Sequence, residues 1–184
     1  MRSGRAYNSP MPPELASPAT VAESAHARAR AMVRDGRSRM EVLTHLAAAA
    51  EQIAAPGAVA SILVLDERGL LRNGASPNLP ADYLDAIDRL KPDAKVGTCA
   101  AAAATGEVVL TPSFLADEKW AELRQLPMAL GFVGAWSMPI KDDVGRVVGT
   151  FGTYYREQRE PLVAERDAVG ILATAAAHAI RDCR

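Results

Sequence analysis

Hydrophobic and polar positions change their period three times along the chain. From residue 20 to residue 55 apolar side chains recur at helical spacing, with Val21, Ala25, Ala29, Met32 and Val33 on one stripe. Thr20 is placed to cap this first helix, which Asp35-Gly36 ends near Arg34. Ser38 with Glu41 three positions on has the capping-box pattern for a second helix, which runs through Ala55 to Pro56-Gly57. Ala58–Asp66 and Leu70–Ser76 are rich in strand formers about the turn Glu67-Arg68-Gly69 and predict a hairpin. Ala81–Leu90 and Thr98–Thr105 predict short helices, the second closed by Gly106, and Val108–Thr111 a short strand. Pro112–Leu130 mixes loop and helix.

Gly131 releases the chain into a strand, Phe132–Ile140, whose alternation puts Phe132, Gly134, Trp136, Met138 and Ile140 on one face. The turn Asp142–Gly145 leads to the last strand, Arg146–Arg156. Pro161 opens a final helix to Arg181, apolar except for the stripe Asp167, Thr174, His178 and Arg181. So wide an apolar surface must be covered twice, by the sheet and by a partner chain or the N-terminal helices. Hairpins dictate a largely antiparallel sheet with helices segregated to its faces, an α+β fold.

A length of 184 residues suits one domain over residues 19–184, preceded by a proline-rich arm, residues 1–18, with Pro10, Pro12, Pro13 and Pro18. Hydrophobic residues make up 49% and charged ones 23%, the composition of a chain that closes a core. Alanines number 36 and aromatics only nine, so each ring is scarce and its position informative. A net charge of −1 argues against a nucleic-acid or anionic-membrane surface. Arg28, Arg30, Arg34, Arg37 and Arg39 make the N-terminal helices basic, but without interleaved aromatics they describe a solvated face. No stretch approaches the roughly 20 apolar residues of a membrane span and the N-terminus has no apolar signal core, so a cytoplasmic location is expected.

Cys99 and Cys183 provide no disulfide framework and no zinc spacing. Cys99 begins a predicted helix, where backbone N–H groups favour a thiolate, but a cysteine there is also a small hydrophobe suited to burial. His26, His45 and His178 share no metal-ligand spacing, and no phosphate loop or nucleophile elbow occurs, so neither metal nor cofactor is expected.

Gly97-Thr98-Cys99-Ala100, then Trp120, then Gly131–Ile140 (GFVGAWSMPI) and Gly145–Phe151 (GRVVGTF) follow one another with the spacing of GAF domains. The chain resembles the bacterial signalling members of that family over about residues 38–182. The resemblance implies a central antiparallel sheet of five to six strands, terminal helices on one face, and short helices and loops over the ligand face. Three segments depart from the family, one of them Ser113–Lys119, which stands where Asp-Ile-x-x-Asp-Pro is common before the tryptophan. Ala100-Ala101 stands where relatives usually have Gly-Thr after the cysteine, and Val133-Gly134-Ala135 precedes Trp136 where Arg-x-Cys is usual.

The function implied is a stand-alone sensory module that binds a small molecule or compact anion and signals through its terminal helices to a protein partner, as a homodimer without chemistry of its own. The expected ligand residues are Trp136, Trp120, Tyr83, Thr98, Cys99, Phe114, Met138 and Phe151. The same rings would equally build an ordinary core. Two alternatives are a thiol-dependent redox enzyme or sensor using Cys99, similar to free methionine sulfoxide reductases, and a ligand-free dimerisation module.

Overall fold

A computed structural model describes residues 16–183. Most of the predicted arm lies outside the described residues, but Ser17 caps and Pro18 opens the first helix, α1 (Pro18–Arg34). The Ser17 hydroxyl accepts from the Thr20 N–H at 3.2 Å, so Ser17 rather than Thr20 is the cap. Proline at the first helical position costs nothing there, since that N–H has no intrahelical partner. In α2 (Arg39–Ile53) the capping box forms as expected. Ser38 N–H donates to Glu41 at 2.9 Å, and Glu41 N–H donates to the Ser38 hydroxyl at 3.3 Å.

Five strands form one sheet: β1 (Val59–Leu65), β2 (Leu71–Ala75), β3 (Val109–Thr111), β4 (Gly134–Lys141) and β5 (Val147–Tyr155). Their order is β2-β1-β5-β4-β3, with every pair antiparallel. The outer side of β2 is bridged at one point, where Leu71 N–H donates to Leu90 O at 2.9 Å and Arg89 N–H to Leu71 O at 3.0 Å. The opposite edge, β3, has three residues.

Both faces of the sheet are buried. Ile62, Trp136, Ile140, Phe151 and Tyr155 face α1, α2 and the C-terminal α6 (Val163–Asp182). Val59, Leu63, Ala135 and Tyr154 face α3 (Ala81–Ala86), α4 (Cys99–Thr105), a 3-10 turn (Glu118–Trp120) and α5 (Gln125–Ala129). The broad apolar surface of α6 is covered by the sheet on one side and by α1 and α2 on the other, all within one chain. His26 of α1 and His178 of α6 meet edge to face, 6.5 Å between centroids, a proximity invisible in their spacing.

Phe132 corrects the predicted strand. The ladder starts at Gly134, and Gly131, at φ +81°, turns the chain beforehand, so Phe132 joins the short-helix side while Trp136 joins the other. Among the described residues no helix is long and apolar enough to cross a membrane.

Candidate functional site

A cavity lies between the sheet and its cover of short elements. Leu63 and Tyr154 line it from the sheet, Tyr83 and Ile87 from α3 and the residue that follows, Gly97 through Ala100 from the start of α4, and Trp120, Leu123 and Leu126 from the segment around the 3-10 turn. The space about the lining atoms, open solvent at its mouth included, amounts to about 350 Å³, but only about 20 Å³ admits the centre of a water-sized sphere. Since one water needs roughly 10–15 Å³ by that measure, this conformation is closed to anything much larger. Among the described residues no Asp, Glu, Lys, Arg or His lines it.

Trp120 is held from three directions. Asp117 caps the 3-10 turn by accepting from Lys119 N–H at 3.0 Å, and it also accepts from the Thr111 hydroxyl at 2.6 Å and Lys119 Nζ at 2.9 Å. Burial alone would raise the Asp117 carboxyl, but these donors outweigh it and hold the group below its ordinary value. Gly97 N–H donates to Lys119 O at 2.7 Å, joining this segment to the loop before α4. Phe114 packs on the indole at 4.3 Å between centroids. Trp120 is 4% exposed, and its buried Nε1–H has no acceptor among the described residues.

Tyr83 donates its hydroxyl proton to the Tyr154 oxygen at 3.0 Å, and both rings are buried. Burial pushes both phenols above their ordinary values, so both are neutral at physiological pH.

Cys99 and Thr98 dock α4 on the sheet. Ser137 Oγ donates to Thr98 Oγ1 at 2.8 Å, which leaves the Ser137 oxygen to accept from the Cys99 thiol, 3.1 Å away. Burial pushes the Cys99 thiol above its ordinary value, and hydrogen bonding to Ser137 only partly opposes that. Burial therefore works against the helix-start thiolate considered from the sequence, and Cys99 sits as a small buried hydrophobe. Cys183 packs in the core on the far side of the sheet, away from Cys99.

The eight expected ligand residues separate. Tyr83, Thr98, Cys99 and Trp120 line the cavity, and Phe114 stands behind Trp120 in the same apolar cluster. Trp136, Met138 and Phe151 belong to the helical side, where the Trp136 Nε1–H donates to Tyr155 Oη at 3.0 Å. Their alternation holds, but the face is the other one. Sequence reasoning missed Tyr154, Leu63 and Ile87. The signal for Tyr154 is its neighbour: two consecutive tyrosines in a strand buried on both faces must point to opposite sides.

A family model described as GAF domain matches residues 36–181. The methyl sulfide methyltransferase-associated sensor of Methanosarcina acetivorans is 33% identical over 138 residues, covering 74% of this chain but only 14% of that protein. Two solved structures share the fold at 16% identity. One is the GAF domain of a phosphoenolpyruvate-protein phosphotransferase from Coxiella burnetii, with a TM-score of 0.70 over 89% of this chain and 94% of that one. The other is free methionine-R-sulfoxide reductase from Neisseria meningitidis in complex with its substrate, with a TM-score of 0.69 over 92% and 93%.

Proposed function

The chain belongs to the GAF domain family, and on that premise we propose that it is a non-enzymatic sensory domain whose small ligand binds in the cavity beneath Tyr83 and Trp120. The observation that carries this reading is the cavity itself, walled by apolar side chains with a few converging polar atoms, the usual make-up of a small-molecule site. Its cover consists of helices of five to seven residues, which separate from the sheet at lower cost than α1, α2 or α6. A compact anion is disfavoured, because none of the lining side chains is cationic.

A route to the output helix starts next to the cavity. Tyr154 lines it, and the adjacent Tyr155 carries the Arg159 guanidinium over its ring, 4.8 Å from the centroid. Arg159 Nη2 donates to Glu165 Oε2 at 2.8 Å, and that carboxylate also accepts from Leu162 N–H at 2.7 Å at the start of α6. A ligand that displaces the end of β5 thus acts directly on the first turn of α6 and on α1 packed beside it.

The thiol-enzyme reading has less support: the Cys99 sulfur is sealed and protonated, and the second cysteine is across the sheet. Native mass spectrometry of protein purified without denaturant tests the proposal, together with fragment screening by ¹⁵N-detected shifts. A bound molecule, or fragments that move Gly97, Leu123 and Tyr154 together, is the expected result. Cys99-dependent turnover of free methionine-R-sulfoxide with a thiol reductant would replace this proposal with the enzymatic one.

A further inference from the structure

Two buried donors at the cavity have nothing to bond to. Trp120 Nε1–H has no acceptor among the described residues. Trp120 and Gly97 both line the cavity, and the benzo end of the indole, Cζ2 and Cη2, lies 3.7 and 3.8 Å from where a Cβ on that glycine would stand. The second donor follows from counting protons. Tyr83 and Tyr154 have one each, the bond between their hydroxyls uses the Tyr83 proton, and the Tyr154 O–H is left without an acceptor among the described residues. Buried donors are nearly always paired in folded proteins, and an unpaired one costs about as much as a lost hydrogen bond.

Among the described residues no cationic side chain lines the cavity, and a full negative charge placed there would be desolvated without a counter-charge. The remaining lining is aliphatic and aromatic apart from Thr98 and Cys99, whose side chains are joined to Ser137. From this geometry we infer that the ligand is an uncharged, compact molecule with an apolar body and one strong acceptor oxygen, of the ketone, amide or sulfoxide type, which takes hydrogen bonds from Trp120 Nε1–H and Tyr154 O–H. The inference rests on the reading that the cavity is the ligand site and adds the chemical class. It also accounts for Trp120 being clamped by Asp117, Gly97 and Phe114, since an N–H that selects an acceptor has to be held in place.

The test uses the full ¹⁵N-labelled chain and three probes of similar size: cyclopentanone, cyclopentane and acetate. The two indole N–H signals are told apart with Trp120→Phe, and Trp136, already bonded to Tyr155, is the internal control. Cyclopentanone is expected to move the Trp120 indole signal downfield in a saturable manner while Trp136 stays still. It should bind roughly 25-fold more tightly than cyclopentane, the usual worth of two net hydrogen bonds. Acetate should leave the Trp120 signal in place, and Trp120→Phe should cut the preference for the ketone to about fivefold, the share left to the Tyr154 O–H. Equal binding of ketone and hydrocarbon to the native chain overturns the acceptor class but leaves the ligand cavity standing, provided the Gly97 and Leu123 amides respond. A shift of Trp120 by acetate equal to that by the ketone assigns the site to anions instead. If no probe moves any cavity resonance, a resident water fills the space and both readings fall.

Discussion

The sulfur of Cys99 rests on Gly152: a Cβ on that glycine would stand 3.0 Å from Sγ, and 3.5 Å from Ser137 Oγ. Gly152 lies opposite Ser137 on β4 and Ser61 on β1, so the start of α4 is packed onto the middle of the sheet. Gly152→Ala should therefore lift α4 and cost about 1–3 kcal/mol, the usual range for overpacking. Adding Cys99→Ala, which removes the sulfur, should recover part of that loss. Urea unfolding of the two single variants and the double variant measures the coupling. Full additivity would show that the sulfur and the glycine do not constrain each other.

Stability should fall in alkali earlier than exposed groups would dictate. Cys99, Tyr83 and Tyr154 are all raised by burial above ordinary values of 9.0 for the thiol and 10.0 for the phenols, and Tyr155 is pushed up to about 12. Each keeps its proton longer in the folded chain than in the unfolded one. Their contribution is complete below about pH 9 and is lost as the pH rises from there through the raised values. Urea midpoints at pH 8 and pH 10.5 should differ, the second being lower. A flat profile that persists in Cys99→Ala would show that the phenols are solvated in the folded chain.

Trp136 and Trp120 should behave oppositely. Trp136 is 1% exposed and packs on the helical side, so Trp136→Ala should cost about 3–5 kcal/mol. Trp136→Phe, which retains most of the bulk, should leave cavity binding within twofold of the native value. Trp120→Phe should weaken binding of an acceptor ligand while leaving the thermal midpoint nearly unchanged. Loss of cavity binding in Trp136→Phe, measured on folded protein, would move the ligand to the other face.

Glu165 is 5% exposed, and its carboxylate holds both Arg159 and the Leu162 amide. Glu165→Gln keeps the shape but leaves Arg159 without a counter-charge, for an expected loss of about 1–3 kcal/mol. Hydrogen exchange should quicken at the first turn of α6 and spread to α1 along their shared contact. Exchange confined to residues 159–165 would separate this ion pair from the rest of the helical layer.

Local chemistry is legible in the sequence wherever one or two neighbouring residues decide the outcome. The Ser38–Glu41 box and the Gly106 helix stop, at φ +69°, form as expected. Alternation along β4 is also legible, since it follows from the pleat. What alternation does not contain is the face. With helices on both sides of the sheet, Trp136 and Ala135 look out on equally apolar surroundings, and no polar row marks the cavity side. Thr20 directly precedes the apolar stripe and so reads as a cap, but Ser17 followed by Pro18 is an equally good start and moves the cap three residues earlier. The Tyr83–Tyr154 pair spans 71 positions and has no local signal at all.

The edges of the sheet bear on how the protein behaves when crowded. An open strand is a template on which another chain can add, and long, flat, apolar edges nucleate aggregates. Here β3 offers three residues, and the outer side of β2 is not left bare, since the backbone of Arg89 and Leu90 occupies Leu71 there. Neither edge presents an open run of roughly six residues, the length from which amyloid-like stacking starts.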